Sequence, residues 1–317
     1  MRAIVWGRFI PPHAGHVFLL EAAQVLSDKL LILLRADPED SVPASLRQQW
    51  LSELFPHAQV EVVHVPNRED ASVWAAALAG LRVEPGNRLF TGDPADLPIA
   101  DALGLEAVLI DPEHHAVPAS SAAIRADPFA HWSWLPAPVR GFQARTICLH
   151  GPESTGKSTL APKLAVHFDT LFVPEYGRTY CEQHGLDLTM ADLVAIGRTH
   201  QAMTNAARRR CNRLLFLDTD PLMTAAWADM LFGTRDPWFD RFSETADLYL
   251  LLDIDLPWID DGTRFFGEAD RRRRFLDRSR EELERRGLPF VLIGGPASER
   301  LDRALAAIKA AGLAATL

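Results

Sequence analysis

Apolar and polar positions follow two different spacings along the first half of the chain. Short apolar runs occupy residues 3–6, 30–34, 60–65, 88–91 and 106–110, and each has the length of a buried strand. Between them, the segment that ends at residue 27 and residues 45–55, 72–81 and 95–103 carry apolar residues at helical spacing. This alternation predicts a parallel, doubly wound α/β sheet, whose ligands bind at the carboxyl ends of the strands.

The second half of the chain repeats this pattern. Apolar runs at 146–150, 171–173, 214–217 and 248–252 alternate with helical spacing over 160–168 and 191–210. Between the halves, residues 127–138 are rich in proline and aromatic residues, which predicts a short packed helix rather than a flexible linker. We therefore expect two α/β domains, residues 1–140 and 141–317, each with a mainly parallel sheet.

Composition narrows the class of protein. The chain has 317 residues, 48% of them hydrophobic, enough for two globular domains. Its net charge of −9 argues against a broad nucleic-acid-binding surface, so any nucleotide ligand is expected to be small. Cys148, Cys181 and Cys211 lack C-x-x-C spacing, which gives no support for a zinc site or a disulfide framework. Without an export signal or a long apolar stretch, we expect a cytoplasmic protein that does not insert into membranes.

A complete phosphate-binding motif, G-x-x-x-x-G-K-[ST], lies near the middle of the chain. It follows a predicted strand and precedes a predicted helix, which is the order that a P-loop requires. In that geometry Lys157 neutralises the β- and γ-phosphates of ATP or GTP, and the Ser158 hydroxyl is a ligand for Mg²⁺. The loop is formed by Gly151, Pro152, Glu153, Ser154, Thr155, Gly156, Lys157, Ser158 and Thr159.

Acidic residues follow the neighbouring strands of the second domain. Asp218 closes a predicted strand and is expected to support Mg²⁺, although a turn or a helix cap is the alternative. Glu175 is the candidate for orienting or deprotonating the substrate hydroxyl, and Asp220 could exchange roles with it. Arg264 and Arg271 are candidates for contacting the transferring phosphate, unless they belong to a solvated helix face.

A second motif, His13-x-Gly15-His16, follows the first predicted strand. Two histidines flanking a glycine at a helix start can both face one anion, and they can stabilise charge on a nucleoside triphosphate during attack at its α-phosphate. Alternatively, both are surface residues or metal ligands. The motif and its flanks, Gly7, Arg8, Phe9, Pro11, His13, Gly15 and His16, resemble the signature of the HxGH nucleotidyltransferases.

A later segment, residues 120–125, is similar to the second motif of the HxGH nucleotidyltransferases. The resemblance implies that Ser120, Ser121 and Arg125 bind the phosphates of ATP, although the serines could also cap a helix. Ala119 and Ala122 depart from that motif, and Arg35 stands where the family often has a small residue. In relatives that use nicotinamide mononucleotide, a tryptophan in the region of Trp74 stacks on the nicotinamide ring; a core role is the alternative.

Taken together, the motifs resemble the NadR family, which joins a nicotinamide mononucleotide adenylyltransferase to a ribosylnicotinamide kinase. The resemblance further rests on the segments 127–132, 175–178, 218–220 and 257–264, and it implies a substrate-binding role for Tyr176, Arg178 and Trp258. Some members carry an N-terminal helix-turn-helix repressor domain. Because the first predicted strand begins at Ala3, we expect no DNA-binding module in this chain.

The resemblance implies a two-step NAD salvage enzyme that uses ATP as co-substrate and Mg²⁺ as cofactor. The second domain would phosphorylate nicotinamide riboside, and the first would adenylylate the resulting mononucleotide to give NAD and pyrophosphate. A homo-oligomer is compatible with this interpretation. The alternatives are an adenylyltransferase domain that is inactive or acts on another phosphorylated metabolite, and a regulator that senses NAD and ATP.

Overall fold

The computed structural model describes residues 1–65, 70–81, 83, 86–258 and 268–313. The chain divides into two compact units, Met1–Val139 and Arg140–Leu317. No helix in the described part of the chain is long and apolar enough to cross a membrane.

The first unit is built on a parallel sheet of five described strands in the order β3-β2-β1-β4-β5. The strands are β1 (Arg2–Gly7), β2 (Lys29–Arg35), β3 (Gln59–Val63), β4 (Arg88–Thr91) and β5 (Glu106–Leu109). Its helices are α1 (Ala14–Val25), α2 (Ala44–Leu54), α3 (Ala71–Leu78), α4 (Leu97–Ala102) and α5 (Ser121–Ala126), with 3₁₀ turns at Pro94–Asp96 and Trp132–Trp134.

The two faces of this sheet bury separate apolar clusters. Ile4 and Leu31 belong to one cluster, whereas Ala3, Val5 and Ile32 belong to the other. Because both faces are covered, the central strands read as continuous apolar runs rather than alternating ones. The strand order reverses between β1 and β4, and a crevice opens at the carboxyl ends of strands at such a point.

The second unit is also built on a parallel sheet of five described strands, in the order β10-β9-β6-β8-β7. The strands are β6 (Arg145–His150), β7 (Leu171–Val173), β8 (Leu214–Asp218), β9 (Leu248–Leu252) and β10 (Phe290–Ile293). The remaining helices are α6 (Ala137–Gln143), α7 (Lys157–His167), α8 (Tyr176–His184), α9 (Met190–Arg208), α10 (Pro221–Phe232), α11 (Pro237–Arg241), α12 (Ala269–Arg285) and α13 (Arg300–Ala310).

The predicted fold class is confirmed: both sheets are parallel and alternate with helices. Sequence reasoning did not identify β10 or the helices α10 to α13. Helix α10 buries residues on nearly every side, so its apolar residues follow no helical period. In β10, Val291 and Leu292 are exposed, which is typical of a short edge strand rather than a buried run.

Candidate functional site

The P-loop of the second unit connects β6 to α7 in the expected geometry. Gly151 has a φ of 127°, and a Cβ atom at this position would lie 2.6 Å from the Leu252 carbonyl oxygen, so only glycine fits. Gly156, with a φ of 87°, caps the N-terminus of α7, which begins at Lys157. The loop's backbone amides and the N-terminus of α7 thus form an anion site.

The shape of the loop is held by side chains that bond to its carbonyl oxygens. Lys157 is 6% exposed and donates to the carbonyls of Gly151 at 2.8 Å and Pro152 at 2.9 Å. Buried Arg300, on α13, donates to the Thr155 carbonyl at 2.6 Å. Sequence reasoning missed Arg300, because no local pattern links residues 145 positions apart.

Asp218 ends β8 beside the P-loop, where its register partner is Leu149 of β6. The carboxyl group is buried, which raises its pKa, although Lys157 and a hydrogen bond from Ser158 act in the opposite direction. Its Oδ1 atom is buried and has no hydrogen-bond partner among the described residues. A buried, unpartnered carboxylate oxygen next to a hydroxyl is a donor set that suits Mg²⁺, so the two residues fit the predicted metal.

Glu175 directly precedes α8, makes no side-chain hydrogen bond to the start of that helix, and lies half-buried on the cavity next to the P-loop. Burial raises the pKa of its carboxyl group to about 7, against the attraction of Lys157 and Arg178. The nearby carboxylates of Asp218 and Glu153 raise the pKa further. A carboxyl that changes protonation near neutral pH can accept a proton from a hydroxyl and release it again.

Asp220 has a different environment, because its carboxylate is hydrogen-bonded to neighbouring groups of the protein. Its carboxylate contacts His150 Nε2 at 3.0 Å and accepts from the Tyr249 hydroxyl at 2.7 Å. It also caps α10, accepting from the amides of Leu222 and Met223. Burial would raise the pKa of Asp220, but these hydrogen bonds hold it below the usual value. Of the two candidates for proton transfer, Glu175 therefore has the more suitable surroundings.

A cavity of about 420 Å³ lies between the P-loop and helices α8, α9 and α10. One part of its lining is polar, and the remaining wall is apolar. The polar residues beyond the P-loop are Glu175, Arg178, His200, Thr219 and Thr224, and the apolar wall includes Leu188, Leu193, Ile196, Met223, Trp227 and Leu231. Sequence reasoning found the P-loop, Glu175 and Arg178 but missed the residues of α9 and α10, which carry no motif.

Other predicted residues of the second unit do not line this cavity. Tyr176 packs in an apolar cluster with residues of α9, its ring 6.3 Å from that of Tyr180. Trp258 is half-buried, and its Nε1 has no hydrogen-bond partner in the described part of the chain. Arg271 forms an ion pair with Glu268 at 3.3 Å and borders a separate pocket along α12. Arg264 lies outside the described residues.

In the first unit, the two motif histidines lie at the start of α1. His13 caps the helix: its Nδ1 accepts from the Gly15 amide at 3.2 Å, and its Nε2 contacts the Ser121 hydroxyl at 2.9 Å. The His16 ring lies 3.8 Å from that of His13, and its Nδ1 is buried with no hydrogen-bond partner among the described residues. The hydroxyl of Ser121, one of the predicted ATP ligands, therefore lies next to the HxGH loop.

Both histidines are neutral at physiological pH. Burial lowers the pKa of His13 to about 4, and burial together with His13 and His114 lowers that of His16 well below its usual value. Because Nδ1 of His13 accepts a hydrogen bond, its proton lies on Nε2. The pair can donate hydrogen bonds to phosphate oxygens without adding a full positive charge.

A cavity of about 640 Å³ opens at these histidines. It brings together most of the predicted ligands of this unit: Gly7, Arg8, His13, Gly15, His16, Trp74, Ser120, Ser121 and Arg125. Phe9 is buried and borders an adjoining pocket, and Arg8 forms an ion pair with Asp40. Arg125 is exposed and donates to the Ile10 carbonyl at 2.8 Å. Sequence reasoning missed His114 and Trp6, which also line the cavity.

Trp74 occupies a core position, which is one of the two roles that the sequence left open. Only 2% of the residue is exposed, and its ring stacks on Trp6 with centroids 4.1 Å apart. Trp74 nevertheless borders the cavity, together with Trp6. The pair forms a rigid aromatic wall that belongs to the core and also faces the cavity.

These folds and sites define a two-unit α/β nucleotide-binding protein, with the HxGH loop at the cavity of the first unit and the P-loop at the cavity of the second. The family model for an AAA domain matches residues 146–300, within the second unit. The chain belongs to the NadR family of NAD biosynthesis proteins.

Membership in the family rests on two relatives named "Trifunctional NAD biosynthesis/regulator protein NadR". The protein from Escherichia coli (strain K12) is 32% identical over 321 residues, which cover 92% of this chain and 78% of the relative. The protein from Salmonella typhimurium (strain LT2) is 32% identical over 319 residues, which cover 91% and 77%.

Two crystal structures of NadR share the fold of the whole chain. One is a complex with NR, at a TM-score of 0.80, 21% identity, and coverage of 100% of this chain and 97% of that one. The other is a complex with NAD and AMP-PNP, at a TM-score of 0.77 and the same identity and coverage.

Proposed function

We propose that the chain is a two-step NAD salvage enzyme. The second unit transfers the γ-phosphoryl group of ATP to the 5′-hydroxyl of nicotinamide riboside, and the first unit transfers AMP from a second ATP to the resulting mononucleotide. The observation that carries the proposal is the cavity of the second unit, where a P-loop meets a carboxyl group that titrates near pH 7. The ligands of the NadR complexes, NR in one and NAD with AMP-PNP in the other, support the choice of substrates.

In the kinase step, the 5′-hydroxyl oxygen attacks the γ-phosphorus, and the bond from that phosphorus to the bridging oxygen of ADP breaks. Glu175 accepts the hydroxyl proton, and Lys157 leaves its loop carbonyls to neutralise charge on the phosphates. Ser158 and Asp218 would hold Mg²⁺, which supplies further charge neutralisation when bound. The half-buried ring of Trp227 offers the cationic nicotinamide an aromatic face.

In the adenylyl step, a phosphate oxygen of the mononucleotide attacks the α-phosphorus of ATP, and pyrophosphate leaves. His13 Nε2 and the ring of His16 donate hydrogen bonds to the α-phosphate oxygens as negative charge increases there. Ser120, Ser121 and Arg125 bind the departing phosphates. No covalent intermediate with the protein is needed, because the histidines act by positioning and charge stabilisation.

The test is to incubate the purified protein with nicotinamide riboside, ATP and Mg²⁺ and to follow the products by chromatography. We expect nicotinamide mononucleotide first and NAD afterwards. If mononucleotide accumulates without NAD, the adenylyltransferase assignment is wrong. If neither product forms, a regulator that binds NAD and ATP becomes the better interpretation.

A further inference from the structure

His200 is a buried histidine on the wall of the second unit's cavity to which neither motif assigns a role. It lies on α9 in the same stripe as Leu193 and Ile196, and all three line the cavity. Only 2% of the residue is exposed. It is thus a deeply buried polar side chain on a surface that is otherwise largely apolar.

Neither ring nitrogen of His200 has a well-formed hydrogen bond with a described residue, although the Pro174 carbonyl is near enough to act on the ring. Leaving such a buried polar group unpartnered is unfavourable, and native structures rarely do so without a reason. One turn further along α9, the buried Thr204 hydroxyl is satisfied by donating to the His200 carbonyl at 3.0 Å. The Thr204 hydroxyl thus has its hydrogen-bond partner within α9, whereas the His200 ring is left to a partner that enters the cavity.

The charge state of His200 limits what that partner can be. Burial lowers the pKa of the imidazole to about 4, even though the Asp220 carboxylate and the Pro174 carbonyl favour its protonated form. At neutral pH the ring is uncharged, with one donor and one acceptor nitrogen. It suits a neutral group that can both donate and accept a hydrogen bond, such as a hydroxyl, better than a phosphate or a carboxylate.

The position of His200 indicates which part of the nucleoside it meets. Pro174, whose carbonyl influences the ring, directly precedes Glu175, the residue that faces the 5′-hydroxyl under the proposed function. Leu188 and Trp227 belong to the apolar wall that suits the nicotinamide ring. We propose that His200 hydrogen-bonds a 2′- or 3′-hydroxyl of the ribose and makes the kinase selective for ribosides over deoxyribosides. This inference rests on the proposed kinase function.

The experiment compares nicotinamide riboside with its 2′-deoxy and 3′-deoxy analogues in wild type, His200→Phe and His200→Gln. Phenylalanine retains a planar ring without polar atoms, whereas glutamine retains a donor and an acceptor. In His200→Phe we expect KM for the riboside to rise about 10- to 100-fold. The preference for the riboside over one of the deoxy analogues, measured as the ratio of their kcat/KM values, should fall by a similar factor. His200→Gln should retain part of that preference, and Thr204→Val, a buried change outside the cavity lining, should retain all of it.

The outcomes separate the two proposals. If wild type phosphorylates the riboside and His200→Phe keeps the full preference over both deoxy analogues, His200 does not bind the ribose, although the kinase assignment stands. Nicotinic acid riboside serves as a further substrate, and a change confined to the preference for nicotinamide riboside over it would assign His200 to the carboxamide and overturn the ribose contact. Wild type without riboside turnover overturns both. His200→Leu replaces His200→Phe if circular dichroism shows that the phenylalanine variant does not fold.

Discussion

At the scale of single residues, the protonation of Glu175 is the feature most open to measurement. Its pKa of about 7 results mainly from burial, and the positive charges of Lys157 and Arg178 only partly oppose that effect. A base must be ionised to accept a proton, so under the proposed function riboside phosphorylation should slow as the pH falls through this range.

We therefore expect kcat/KM for riboside phosphorylation to decrease below about pH 7 in wild type. Glu175→Gln should lower kcat by about 10²- to 10⁴-fold and remove this dependence, because glutamine cannot accept the proton. The measurement is a pH–rate profile from pH 5.5 to 9, with Glu182→Gln, an exposed change on α8, as the control. A profile that still falls near pH 7 in Glu175→Gln would assign the titration to another group.

The same residue links function to stability. A carboxyl whose pKa is higher in the folded than in the unfolded state binds more protons when folded, so stability decreases as the pH rises from about 4.5 to about 7 and stays lower above that. Glu175→Gln removes this effect, and its Tm at pH 8 should exceed that of wild type. A lower Tm would show that ionised Glu175 stabilises the fold.

At the scale of elements, the packing of α9 against α11 fixes one wall of the cavity. Gly197 lies on α9 beside Ile196, and a Cβ atom there would be 2.8 Å from the Trp238 ring and 3.3 Å from Phe239. The absence of a side chain lets α11 approach closely. On α8, by contrast, a Cβ atom at Gly177 would be no closer than 3.7 Å to the nearest atom, Ile196 Cγ2, an ordinary contact.

The two glycines give a matched pair of substitutions. Alanine gains about 1 kcal/mol over glycine in a helix, but overpacking a core costs about 1–3 kcal/mol. Gly197→Ala should therefore lower the free energy of unfolding by up to about 2 kcal/mol, and Gly177→Ala should leave it unchanged or raise it by up to about 1 kcal/mol. Urea unfolding followed by circular dichroism measures both. Equal effects at the two positions would contradict the close packing at Gly197.

At the scale of the whole molecule, the two cavities lie in different compact units, and each is lined by its own set of residues predicted to bind phosphate. The proposed reactions are therefore separable by substitution. Under the proposed function the product of the second unit is the substrate of the first, so a defect in either unit should block NAD formation from the riboside.

We expect Lys157→Ala to lose riboside phosphorylation by at least about 10²-fold while it still converts the mononucleotide to NAD. His16→Ala should show the reverse, and a mixture of the two variants should make NAD from the riboside. Product chromatography measures both steps, with Lys163→Ala, an exposed change on the same helix α7, as the control. If either variant lost both activities while folded, the two-site arrangement would be wrong.

Much of the architecture could be predicted from the sequence. Buried parallel strands are apolar along their whole length, so β1, β2, β6, β8 and β9 were recognisable as apolar runs in the sequence. The order of strand, loop and helix placed the P-loop and the HxGH loop at the ends of strands. The edge strand β10 and helix α10 escaped prediction, because an exposed edge and a helix buried on most sides lack the expected period.

The sequence by itself determined the positions of the P-loop and the HxGH loop, because each motif consists of residues that are neighbours in the chain. Only the tertiary structure decided which other side chains complete the cavities. Asp218 and Asp220 are two residues apart, yet one has an unpartnered carboxylate oxygen and the other is fully bonded to His150, Tyr249 and the start of α10. His200 and Arg300 reach the second site from distant helices. Burial and bonding partners depend on packing between segments far apart in the chain, which no local pattern records.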